Sequence, residues 1–249
     1  MIFQKNLLLF FLGIIHQAKG HAFWLNVEDD QVEVTFSEKA NVPDTAIQHL
    51  KDKIEDRFEL AAYSKSLKGG RGKLLKIDWA LQEDRITGVL PKGALSAAVM
   101  GHLDFGPFNK YGMDVDNLRM QFSSSQLSET KDKLQVSAHA HMKVKPFYVG
   151  LDGCDSEIIA TVHGLSASID EKPISVCIYT TGGHEIGCND VVANDGSDDD
   201  DAATARFETD LGTTTTIFAK TRALFPSESG KGVAKIATKA ATYKPQCTS

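Results

Sequence analysis

Apolar and polar residues alternate one by one over short stretches along this chain, and a period of two suits strands that bury one face. In Gln31–Ser37, Val32, Val34 and Phe36 share a side. Residues 134–144 repeat the pattern, with Leu134, Val136, Ala138, Ala140 and Met142 on one face and Gln135, Ser137, His139, His141 and Lys143 on the other. Further strands are predicted at 58–64, 73–81, 85–90, 95–103, 117–123, 147–151, 157–163, 205–209 and 214–221. Turn signals such as Lys68-Gly69-Gly70, Pro91-Lys92-Gly93 and Asp152-Gly153 separate them. One helix is expected at 44–54, with Asp44 as its cap and Ile47, Leu50 and Ile54 at helical spacing. The chain therefore reads as all-β, two β-sandwich domains with one short helix.

Residues 1–20 have the composition of a secretory leader. Lys5 comes early, an apolar run follows from 7 to 15, and Ala18 and Gly20 occupy the small-residue positions of a cleavage site. Removing this segment makes His21 the first residue. It also removes Lys5 and Lys19, leaving a chain more acidic than its formal net charge of −6. That balance argues against nucleic acid or anionic lipid as partner, since both reward clustered Lys and Arg. No other apolar run has the length to cross a bilayer. The expected product is secreted or otherwise extracytoplasmic. The chain of 249 residues, less its leader, suits two domains of about 100 residues each. The polar run 123–133 marks the seam, giving domains at 21–128 and 129–249.

Four cysteines, Cys154, Cys177, Cys188 and Cys247, fit an exported, disulfide-bonded chain. Residues 174–188 read as a hairpin with a two-residue turn at Gly182-Gly183. Thr181 then faces His184, and counting outward sets Cys177 against Cys188, within disulfide reach. Cys154 is left to pair with Cys247. With no Cys-x-x-Cys, nothing suggests a zinc ribbon or a thioredoxin-like centre.

A terminal His21 offers two nitrogens from one residue, the freed α-amine and a ring nitrogen, and imidazole suits copper, nickel and zinc. The plain alternative is that histidine merely happens to come first. His139 and His141 lie two apart on one strand face, close enough to chelate one ion, or else line a solvated edge beside Gln135, Ser137 and Lys143. His102 precedes Asp104, which either orients the ring from behind a metal or closes a turn before Gly106. His49, His163 and His184 carry no pattern. The acidic stretch 195–201 lacks the alternating spacing of a calcium loop and reads as solvated. Gly-x-Ser-x-Gly, His-Glu-x-x-His and phosphate-loop motifs are absent from the sequence.

The order of several motifs resembles an exported bacterial family of unknown function associated with periplasmic nickel uptake. The resemblance rests on His21-Ala22-Phe23-Trp24-Leu25, Val34-Thr35-Phe36-Ser37-Glu38, the helix after Pro43, and Gly101-His102-Leu103-Asp104-Phe105-Gly106. It implies two immunoglobulin-like sandwiches, the second similar to carboxypeptidase accessory domains, and a transition-metal ligand set. One departure stands out: the family carries a histidine in its final strand pair, where this chain reads Phe218-Ala219-Lys220-Thr221-Arg222. The leading expectation is capture or delivery of nickel or copper, with zinc as a third ion, at His21, His102, His139 and His141, and a membrane transporter as partner. Two alternatives stay open. One is a copper oxidase with a terminal-histidine brace, the other a non-catalytic interaction module in which the histidines are incidental.

Overall fold

The computed structural model describes residues 20–64, 73–110, 113–124, 147–166, 168–170, 173–193 and 202–246. The segment expected to be a leader, up to Lys19, the strand expected at 134–144 with His139 and His141, the acidic stretch 195–201 and Cys247 lie outside them.

Sixteen strands are described: β1 (Ala22–Glu28), β2 (Gln31–Ser37), β3 (Phe58–Ser64), β4 (Leu74–Lys76), β5 (Trp79–Leu81), β6 (Ile86–Val89), β7 (Ala94–Asp104), β8 (Asn117–Ser124), β9 (Tyr148–Cys154), β10 (Glu157–His163), β11 (Ser175–Thr180), β12 (Glu185–Asp190), β13 (Val192–Ala193), β14 (Ala202–Glu208), β15 (Thr215–Phe225) and β16 (Val233–Tyr243). Where one face is buried and one wet, strands fall where alternation predicts them; β10 buries every second residue from Ile158 to Val162. The stretch 73–81 is a correction. It splits into β4 and β5, which belong to different sheets, because the chain crosses between sheets at the buried Ile77. The helix also differs from its expected form. Asp44 caps it through the Ala46 amide at 2.8 Å, but the first turns, Thr45–Leu50, are 3₁₀, and α1 proper runs Lys51–Arg57.

The strands form two four-stranded sheets, β1-β2-β6-β5 and β13-β14-β10-β9, and one eight-stranded sheet, β12-β11-β15-β16-β8-β7-β3-β4. The small sheets lie on opposite faces of the large one. Alternation along β16 makes this visible: Ala234, Ile236 and Ala240 belong to the core under β1, while Ala237, Ala241 and Tyr243 belong to the core under β9. Each small sheet makes a sandwich with the shared sheet, so the fold is all-β, two sandwiches with a common middle layer. A strand covered on both sides cannot alternate in polarity, and every residue from Ala234 to Ala241 is buried. The 128/129 boundary expected from the sequence falls outside the described residues. On either side of it, β8 and β16 pair in parallel, so one sheet serves both halves of the chain.

Aromatic residues fill the first core. Phe23, Phe58 and Phe122 meet with centroids 5.5–5.8 Å apart. Trp24 packs edge-on against Tyr179 and Phe218 and donates its indole N–H to the Ser37 carbonyl at 2.9 Å. The Phe23 carbonyl accepts from Thr238 at 2.6 Å, which pins β1 to the shared sheet.

Cys177 and Cys188 are opposed across β11 and β12 and disulfide-bonded, as expected. The turn that brings them together is not the expected one. The Thr180 amide donates to the His184 carbonyl, leaving a three-residue loop, Thr181 to Gly183, in which both glycines have φ near +80°. A register shift past Ile178 takes up the extra residue and restores the cysteine pair. Cys154 is also disulfide-bonded; its expected partner, Cys247, lies outside the described residues.

Candidate metal centre

His21 sits just ahead of β1, the edge strand of its sheet. One face of its ring stacks on Phe36 of β2, with centroids 5.0 Å apart and planes 28° off parallel. Register brings this about, since Phe23 faces Phe36 and Ala22 faces Ser37. Two carboxylates flank the ring. Glu38 Oε1 is 4.0 Å from Nδ1 and Asp44 Oδ2 is 3.5 Å from Nε2. Asp44 thus does two jobs, one oxygen capping the helix and the other facing the imidazole. With a side chain 32% exposed, the ring is held yet open to solvent.

Lys220 of β15 reaches the same place from the shared sheet, its Nζ donating to the Gly20 carbonyl at 2.5 Å. Burial pushes its pKa down to about 8; the Glu38 charge works against that and Arg222 with it. The Gly182-Gly183 turn closes in beside Glu38: a Cβ on Gly183 would lie 2.5 Å from Lys39 Cβ.

His102 lies elsewhere. It sits on the face of β7 opposite to Gly101 and Leu103, turned away from the core under β1, so the fold does not bring it to His21. It is 7% exposed, and its Nε2 is 3.9 Å from Asp104 Oδ2. That separation is longer than a hydrogen bond, and the Asp104 oxygens are taken by Arg119 and Asn117. Burial and then the Arg119 charge hold the His102 pKa below its ordinary value, with Glu59 and Asp104 opposing. Burial works against the Asp104 charge, but Arg119 donates to both its oxygens, at 2.7 and 2.5 Å, and Asn117 donates at 2.9 Å, so its pKa is lowered overall. A carboxylate of this kind stabilises the fold above its unfolded pKa of about 3.9, and the contribution drains away as pH falls through the lower folded value. Asp104→Asn is therefore expected to narrow the stability gap to the parent between pH 5 and pH 2, as measured by urea midpoints. A gap independent of pH would contradict the ion pair.

Among the described residues, no three His, Cys, Asp or Glu side chains already stand close enough to cage an ion. The sequence pointed to His21 and left out its neighbours. Glu38 and Lys220 entered the sequence reading only as members of compared segments, with no role at His21, and Asp44 was legible only as a cap.

Neither a protein-family model nor a curated protein sequence matches the chain. Among solved structures it is similar, at 11% identity and a TM-score of 0.25, to CopC from Methylosinus trichosporium OB3b, over 42% of this chain and 100% of that one. The titin domains Z1Z2, solved in complex with telethonin, give 11% identity and a TM-score of 0.20 over 92% of this chain and 91% of theirs. The collagen adhesin from S. aureus gives 8% and 0.17 over 92% and 97%.

Proposed function

We propose that the chain is exported, that its leader is removed after Gly20, and that the new terminus captures copper or nickel for hand-over to a membrane transporter. The observation that supports this most is the setting of His21. Its ring is braced on Phe36, with a carboxylate facing each nitrogen. Cleavage would add an α-amine on the same residue, and amine plus Nδ1 close a chelate ring with Glu38 as the next oxygen donor. Two nitrogens and a carboxylate suit Cu(II) or Ni(II) better than calcium or magnesium. Asp44, on the far nitrogen, would fix the tautomer and aim the ring. Such a set leaves coordination positions open, which suits transfer more than storage.

Calorimetric titration of the chain beginning at His21 with Cu(II), Ni(II) and Zn(II) tests the reading. One ion per chain is expected at His21, over and above any ion held away from the terminus and lost in His21→Gln, with Cu(II) or Ni(II) ahead of Zn(II), and Glu38→Gln is expected to weaken this terminal binding about tenfold, or ~1.4 kcal/mol. Binding by none of the three, or binding undisturbed by His21→Gln, would overturn it.

A further inference from the structure

A second cluster of ligand atoms lies on the opposite face of the shared sheet, and it does not depend on how the chain begins. Glu59, His102 and Gln121 occupy one row across three adjacent strands, β3, β7 and β8, each directly opposite the next. Residues in one row share a face and have Cα atoms about 4.5–5.5 Å apart. Two of the three are buried with polar atoms that nothing satisfies. Gln121 is 3% exposed and both Nε2 and Oε1 lack a partner; His102 is 7% exposed and its Nδ1 lacks one. Each orphan of this kind costs about 1–3 kcal/mol, so natural folds rarely leave several side by side unless a ligand uses them.

We infer that Glu59, His102 and Gln121 form a binding site for a divalent first-row metal ion, held by the His102 Nδ1, the Glu59 carboxylate and the Gln121 amide oxygen. The distances suit this. His102 Nδ1 is 4.0 Å from Glu59 Oε2, and donors each about 2.0–2.1 Å from a tetrahedral ion stand roughly 3.4 Å apart. Glu59, with a side chain 59% exposed, can close that gap and gives the ion a way in from the rim. The other ring nitrogen faces Asp104, which Arg119 and Asn117 hold in place. At 3.9 Å this carboxylate does not hydrogen-bond the ring, but its charge favours the proton on Nε2 and leaves Nδ1 as the metal-facing atom.

The test uses a His21→Gln chain, in which the terminal site is removed, so the two readings stand or fall separately. Co(II) is added and its visible absorption followed, with Zn(II) displacement giving the affinity. One ion per chain is expected. Adding His102→Gln is expected to abolish the Co(II) spectrum, and Glu59→Gln to weaken binding about tenfold. Because Glu59 is on the rim, its variant keeps the fold even where the His102 change does not. Absence of Co(II) and Zn(II) binding in the His21→Gln chain overturns the inference. So does a spectrum that survives both the Glu59 and the His102 change, which would place the ion on other ligands.

Discussion

A chain that retains residues 17–20 ahead of His21 is expected to bind Cu(II) or Ni(II) at least a hundredfold more weakly than the chain beginning at His21, a difference of about 2.7 kcal/mol. Retention turns the His21 α-amine into an amide. An amide nitrogen that keeps its proton is a poor donor, and with no free amine on the preceding residue to help the ion displace that proton, the chelate ring through Nδ1 is lost. The carbonyl that comes along is already committed, since Gly20 accepts from the buried Lys220. A leader of several residues is a better comparator than one added glycine. A Gly-His terminus builds its own chelate for Cu(II) from amine, amide and imidazole, and would mask the loss. Equal affinity in both chains would sink the terminal-amine reading while leaving the Glu59–His102–Gln121 row untouched.

How far the sequence disclosed this fold depends on which faces are wet. Where one side of a strand meets solvent, polarity alternates and the strand is legible: β10 falls on residues 157–163, where alternation predicts it, and β2 on 31–37, although Thr35 and Ser37 on its polar side are buried too. Strand β16 is covered on both faces, so its run Val-Ala-Lys-Ile-Ala-Thr-Lys-Ala-Ala-Thr-Tyr has no period to read. The shared middle sheet follows from that strand and could not be seen without it. The hairpin shows a different limit. Cys177 and Cys188 pair as counted, yet through a three-residue loop and a bulge whose shifts cancel, because turn geometry depends on φ values that Gly-Gly leaves free. At the candidate centre, the leader-like composition of residues 1–20 drew attention to His21. Glu38, Asp44 and Lys220 come to it from a loop, a helix cap and a strand some 200 residues on, and only tertiary packing joins them. His102 and Asp104 were visible as neighbours, whereas Glu59 and Gln121 needed the strand register.

Gly101→Ala is expected to cost about 3 kcal/mol or more, at the upper end of what overpacking a core does, and Gly101→Val to prevent folding at 37 °C. Gly101 faces Phe122 across β7 and β8, and that ring lies over the space a side chain would take. A Cβ there would collide with the ring and stand 2.5 Å from the Glu59 carbonyl oxygen. The ring has nowhere to go, being stacked on Phe58 at 5.5 Å and tilted against Phe23 at 5.5 Å. The carbonyl belongs to the β3 backbone and moves only if the strand pair separates. Urea unfolding of Gly101→Ala, alone and with Phe122→Leu, apportions the two clashes. The double variant is expected to be more stable than the summed costs, because shortening the ring relieves one clash and leaves the other. A cost below about 1 kcal/mol for Gly101→Ala would mean that Phe122 does not occupy this space. The consequence reaches the opposite face of the same strands. Glu59 supplies both the crowded carbonyl and a carboxylate of the polar row, and His102 is the next residue along β7. Any shift of β3 from β7 that accommodates a Cβ at Gly101 also widens the 4.0 Å gap between His102 and Glu59. Metal affinity at that row is therefore expected to fall in Gly101→Ala even where the variant remains folded.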